Sequence, residues 1–121
     1  MKTSKETQRR RRLVKQAKEL WEKAVIDEYG ELCVCGKPMH EIHHFYRKSQ
    51  YGHLRFVIAN GVPICQGCHI RADSPIFIDF LKDWRGEKWY QDLKDLALHP
   101  PANFKSSPKW IKEEIQRLKD L

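Results

Sequence analysis

Two pairs of cysteines and a short run of histidines hold the side chains most capable of chemistry. The cysteines stand as Cys33-Val34-Cys35 and Cys65-Gln66-Gly67-Cys68, with 29 residues between the pairs. Both pairs lie in turn-forming sequence, and two-plus-two thiolates suit tetrahedral zinc held in a closed structural site. Two disulfides or a redox Cys-x-x-Cys compete with zinc. A chain with no apolar export signal is expected in a reducing compartment, which disfavours disulfides, and a redox pair has no use for the other two thiols. The first pair is Cys-x-Cys, not Cys-x-x-Cys. Either the knuckle is distorted or a neighbouring group replaces one thiolate, with Cys35, followed by Gly36, the firmer member of that pair.

His43 and His44 are adjacent, between Ile42 and Phe45, in a segment that reads as extended. Alternation sends their side chains to opposite sides unless a twist or bulge brings both to one site. His69 directly follows Cys68, and Asp73 lies four residues on, which on a helix is the same face. A neutral imidazole, with an unperturbed pKa of about 6.5, can take a proton from water. Imidazoles without a thiolate leave the identity of a bound cation open. Plainer readings stand beside these: His43 as a satisfied core histidine, Asp73 as a cap or a partner for Arg71, Asn60-Gly61 as a turn. His40 and His53 read as surface residues, and His99, before Pro100-Pro101, as a helix end.

Periodicity supplies the elements that must position these groups. Leu13, Val14, Ala17, Leu20, Trp21, Ala24, Val25 and Ile26 draw one apolar stripe, predicting a helix over 5–29 capped by Gly30. Glu41–Tyr46 and Gly61–Ile64 read as strands, and Gln66–Asp73 as a short helix. Ser74-Pro75 and Ser107-Pro108 are cap-plus-proline signatures opening further helices. The first is interrupted at Arg85-Gly86, resumes over Glu87–Leu98 and stops at His99-Pro100-Pro101. The expected organisation is a basic helix (1–30), a compact centre (31–74) and a helical extension (75–121). With 121 residues these form one structural domain of the α+β class.

The charge is concentrated. Lys and Arg number 23 against 16 Asp and Glu, a net +7, and residues 1–18 hold all of it: eight bases, Lys2 and Arg9–Arg12 among them, against Glu6 alone. Such a block suits a polyphosphate backbone, whose condensed counterions it displaces, although a solubilising leader has the same composition. Charged residues make up 32%, and no apolar run approaches the roughly 20 residues of a membrane helix, so a membrane protein is not expected.

The string from Cys33 to Asp73, CVCGKPMHEIHHFYRKSQYGHLRFVIANGVPICQGCHIRAD, resembles HNH endonucleases of the ββα-metal type with a four-cysteine structural zinc. The resemblance covers about a third of the chain. It rests on His44 at the end of a first strand, Asn60 in the following loop 16 residues on, and His69 nine further within Cys65-x-x-Cys68-His69. It implies a treble-clef-like, zinc-pinned core. His44 would be the general base, and Asn60 would hold the loop and orient His44 by hydrogen bonding. His43 and His69 would be ligands of one catalytic divalent ion (Mg2+, Mn2+, Ni2+ or Zn2+), with Asp73 at a position that ligates in some members only. The implied activity is hydrolysis of DNA phosphodiester bonds.

Tyr46, Arg47, Lys48, Arg55 and Arg71 flank the proposed residues and could grip phosphates, as could Arg9, Arg10, Arg11 and Arg12; none forms a base-reading code. The expectation is therefore an endonuclease of low sequence specificity acting on double-stranded DNA. Its location would be the cytoplasm, that of a host cell if the small size reflects a phage enzyme. The rivals are a non-catalytic zinc module that binds nucleic acid and a protein-interaction scaffold with incidental histidines.

Overall fold

The computed structural model describes residues 4–121; Lys2 of the basic block lies outside them. A 25-residue helix, α1 (Lys5–Tyr29), opens the fold, with the Ser4 hydroxyl accepting the Thr7 N–H at 3.1 Å as its cap. Strands β1 (Glu41–His44) and β2 (Gly61–Ile64) form a two-stranded antiparallel sheet with Glu41 opposite Ile64 and His44 opposite Gly61. Two 3-10 turns, Gly52–Leu54 and Ile58–Asn60, lie between the strands. Helix α2 (Gln66–Ile70) follows, then α3 (Pro75–Arg85), α4 (Glu87–Leu98) and α5 (Pro108–Lys119). The result is helix-rich α+β. Among the described residues no helix is long and apolar enough to cross a membrane.

The stripe on α1 buries Ala17, Trp21 and Val25 against Ile111, Ile115 and Leu118 of α5, with Ile42 and Phe56 closing this core from the sheet and loop. A second core gathers Val62, Ile64, Cys33, Cys65 and Cys68 with Phe77 and Leu81 of α3. A third places Leu54 against Leu93 and Ala97 of α4. The break between α3 and α4 falls at Gly86, whose φ of +98° a side chain would resist.

Two elements are shorter than their sequence patterns predict. β1 ends at His44 instead of Tyr46, because the Asn60 side chain takes the place of a strand partner there: its Oδ1 accepts the Tyr46 N–H at 2.8 Å and its Nδ2 donates to the Tyr46 carbonyl at 3.1 Å. α2 ends at Ile70 instead of Asp73. Its final bonds tighten to Arg71 N–H on the Cys68 carbonyl and Ala72 N–H on the His69 carbonyl, and Ser74-Pro75 forces an extended residue before α3. Asp73 therefore does not share a helix with His69.

Gly61 fixes how closely α1 approaches the sheet. A Cβ added there would stand 2.4 Å from Val25 Cγ2 and 2.9 Å from Trp21 Cζ2, both on the rigid buried face of α1. Gly61→Ala is expected to destabilise the fold by about 1–3 kcal/mol through overpacking, read as a lower midpoint in chemical denaturation. An unchanged midpoint would mean that α1 is free to shift outward.

Candidate active site and metal centre

Four thiols converge where the Cys33–Cys35 turn meets the start of α2. Their sulfur atoms all lie within 4.8 Å of one another, and Cys35 Sγ is 3.6 Å from Cys65 Sγ. A tetrahedral zinc with Zn–S bonds of about 2.3 Å spaces its sulfurs about 3.8 Å apart, so the donor set fits a metal of that kind. The short Cys-x-Cys spacing is accommodated without a substitute ligand: Gly36, at φ +91°, reverses the chain, its N–H donates to the Cys33 carbonyl, and the Cys33 N–H donates to the Lys37 carbonyl. Cys33, Cys65 and Cys68 are buried and Cys35 is exposed. The Cys68 backbone N–H, 3.4 Å from Cys65 Sγ, favours the thiolate there and draws the Cys65 pKa down to about 6.

On the other side of the sheet end, Glu41, His43, His44, Arg47, Lys48 and His69 line one open concavity of about 310 Å³. Strand alternation holds: Ile42 and His44 face α1 while His43 faces α2. Both imidazoles still reach the concavity because it opens where the strand ends. The rings of His43 and His69 meet edge-on with centroids 5.3 Å apart. His69 Nδ1 lies 2.7 Å from Glu41 Oε1. A carboxylate only accepts, so Nδ1 donates and Nε2 is the ring nitrogen not engaged by Glu41, the carboxylate–histidine arrangement that can orient a metal-binding imidazole. Burial, and then the neighbouring His69, lower the His43 pKa.

His44 is held on two sides. Its ring stacks on the Trp21 indole with centroids 4.4 Å apart and planes 12° apart, and its Nε2 lies 3.0 Å from the Arg55 carbonyl. A carbonyl only accepts, so Nε2 carries the proton and Nδ1 presents the lone pair. Burial pushes the His44 pKa down to about 4; the Arg55 carbonyl opposes this, and the Lys48 and Arg55 charges add to it. The ring is therefore neutral, in its basic form, at ordinary pH.

No family model, curated protein or solved structure matches this chain.

The remaining sequence candidates fall into separate places. Asn60 is fully buried and donates from Nδ2 to the Tyr46 and Leu54 carbonyls, at 3.1 and 3.3 Å. It clamps the loop between the strands, but the hydrogen bond that orients His44 comes from Arg55. The Asp73 carboxylate pairs with the Arg47 guanidinium at the surface, and among the described residues the only cluster of three or more metal-ligating groups is the four cysteines. Arg9, Arg11, Arg12, Lys48 and Arg71 are exposed, whereas Arg10 is half-buried and donates to the Ser106 carbonyl and hydroxyl. Sequence reasoning missed Glu41, Trp21 and the Arg55 carbonyl. Only Trp21 left a signal, as an aromatic on the apolar stripe of α1.

Asn60→Ala removes the side-chain partner of the Tyr46 N–H and of the Tyr46 carbonyl, and one of two donors to the buried Leu54 carbonyl, which keeps the Val57 N–H. It is expected to cost about 2–3 kcal/mol in stability, measured by urea denaturation. For the thiol cluster, atomic emission is expected to find about one metal per chain, and Cys65→Ser to bring this well below stoichiometric with loss of thermal stability. Equal metal content in the two proteins would show that the cluster is not the binding site.

Proposed function

We propose that this chain is a metal-dependent HNH endonuclease that hydrolyses DNA phosphodiester bonds with little sequence preference, on a ββα-metal core pinned by zinc at Cys33, Cys35, Cys65 and Cys68. One observation carries the reading. A neutral, oriented imidazole with its free nitrogen unprotonated, His44, lines the same concavity as two further imidazoles, His43 and His69, that meet each other and are backed by Glu41. A chance surface cluster needs no such division of labour.

His44 takes the proton from an attacking water through Nδ1, while the Arg55 carbonyl and the Trp21 indole hold the ring against rotation. The water oxygen bonds to phosphorus and the bond from phosphorus to the 3′ oxygen breaks. His43 and His69 would hold one divalent ion, Mg2+, Mn2+, Ni2+ or Zn2+, which when bound supplies charge relief on the phosphoryl and leaving oxygens. Glu41 keeps the His69 ring in the tautomer that a ligand needs. Asp73, engaged by Arg47, serves better to steady that arginine at the rim than to ligate. Asn60 acts on catalysis only through the loop it clamps.

The test is supercoiled plasmid incubated with Mg2+, Mn2+, Ni2+ or Zn2+, wild type beside His44→Ala. Wild type is expected to yield relaxed or linear DNA, and His44→Ala to lose about 10²–10⁴-fold in rate while retaining its circular-dichroism spectrum and bound metal. Equal cleavage by both proteins, or none by the wild type with any of these ions, refutes the reading and leaves a zinc-stabilised nucleic-acid-binding module.

A further inference from the structure

Beside the His44 pocket the surface gathers cations that have no anions to meet. Lys48 lines the pocket itself. Arg55 supplies the carbonyl that holds His44, and its guanidinium rests 5.5 Å above the Phe56 ring, in the core shared with α1. Lys18 lies one turn before Trp21, the residue stacked on His44, and its exposed ammonium is near enough to Lys48 for the two charges to act on each other. Arg10 stands two turns earlier and is fixed in place by Ser106. No carboxylate among the described residues pairs with any of the four; Glu22, one turn beyond Lys18, stays outside ion-pairing range of it.

Their crowding has an electrostatic cost. Burial, then the Arg55 and Lys18 charges, pull the Lys48 ammonium below its usual pKa; burial, then Arg10, does the same to Arg55. Like charges held together without counterions are relieved by an external polyanion. Arg47, by contrast, has its charge met by Asp73.

We propose that Lys18, Lys48 and Arg55, extended by the anchored Arg10, form a track that grips the phosphate backbone of duplex DNA across α1 and leads it into the His44 pocket. The choice of DNA rests on the endonuclease reading; the contact itself needs no cleavage. The track adds Lys18 of the middle of α1 to Lys48 and Arg55, takes only Arg10 from the Arg9–Arg12 run, and is read through charge alone, without base selection.

The experiment measures binding in the His44→Ala background, so that the probe survives. A short fluorescein-labelled duplex is titrated by anisotropy between about 50 and 200 mM salt. Lys18→Gln, Lys48→Gln and Arg55→Gln are each expected to weaken binding about 3- to 10-fold and to lower the slope of log affinity against log salt by about one. Lys88→Gln, which removes a cation already paired with Asp92, is the control and should leave the slope unchanged. Circular dichroism and metal content of each variant confirm that the fold is retained. Slopes that stay at the parent value, or that fall equally in Lys88→Gln, overturn the track. So does capture by anionic phospholipid vesicles in place of the duplex. Lowered slopes with an intact plasmid in the cleavage assay would keep the track and discard the nuclease; cleavage with unmoved slopes would do the reverse.

Discussion

An irregular loop at the heart of the molecule must satisfy its own carbonyls, and much of the fold is arranged to do so. Leu54, Phe56 and Asn60 are buried, yet the residues between the two 3-10 turns belong to no ladder that would pair their backbone oxygens. Turn bonds serve two of these oxygens, with the Val57 N–H on the Leu54 carbonyl and the Asn60 N–H on the Val57 carbonyl, and side chains arrive from every surrounding element. Asn60 donates to the Leu54 carbonyl, His44 to Arg55, Arg117 of α5 to Phe56, Trp21 of α1 to Val57, and Trp89 of α4 to Ala59. Arg85 adds a longer contact to Ala59 while its guanidinium lies 3.4 Å from the Tyr29 ring, and burial lowers its pKa to about 10. The tautomer of His44 is a by-product of this accounting: an oxygen needed a donor, and the donor's other nitrogen was left with its lone pair.

The two candidate metal centres differ in the way their donors are prepared. Three of the four thiols, those of Cys33, Cys65 and Cys68, are packed into a core with Val62, Ile64, Phe77 and Leu81, so sulfur and carbon share one buried cluster. The imidazoles stand at the end of a strand and on a five-residue helix, at the edge of a concavity open to solvent. A closed donor set holds a fold together, while an open one leaves room for water and substrate. The helix that carries His69 begins within the thiol cluster, at Cys65, so any cation held by the sulfurs also fixes the position of that imidazole.

The helices and the second strand were legible because each announces itself locally. α1, α3, α4 and α5 have apolar stripes, Ser caps, proline at the first turn or a terminating glycine, and Gly61–Ile64 is a short apolar run between turn residues. The grouping of the cysteines was legible from spacing, whereas the meeting of His43 with His69 was implied only by the family resemblance. What could not be read was set by contacts distant in the chain. The truncation of β1 depends on a side chain 14 residues away, and the Trp21 bond to Val57 spans 36. The role of Glu41 required knowing that β1 runs beside α2. The i+4 spacing of His69 and Asp73 misled, because helical geometry was assumed through a Ser-Pro start that ends helices.

The pairing of α1 with α5 closes the molecule across nearly its whole length: Arg10 reaches the Ser106 carbonyl 96 positions away, and Trp21, Ala17 and Val25 share one core with Ile111, Ile115 and Leu118. Contacts of such high order form slowly. During synthesis the α5 side of the α1 face stays uncovered until residues beyond Ile111 have emerged, whereas the four cysteines can meet once Cys68 has. The wall on which the His44 ring rests is thus backed by α5 only after every residue lining the concavity beside it has been made.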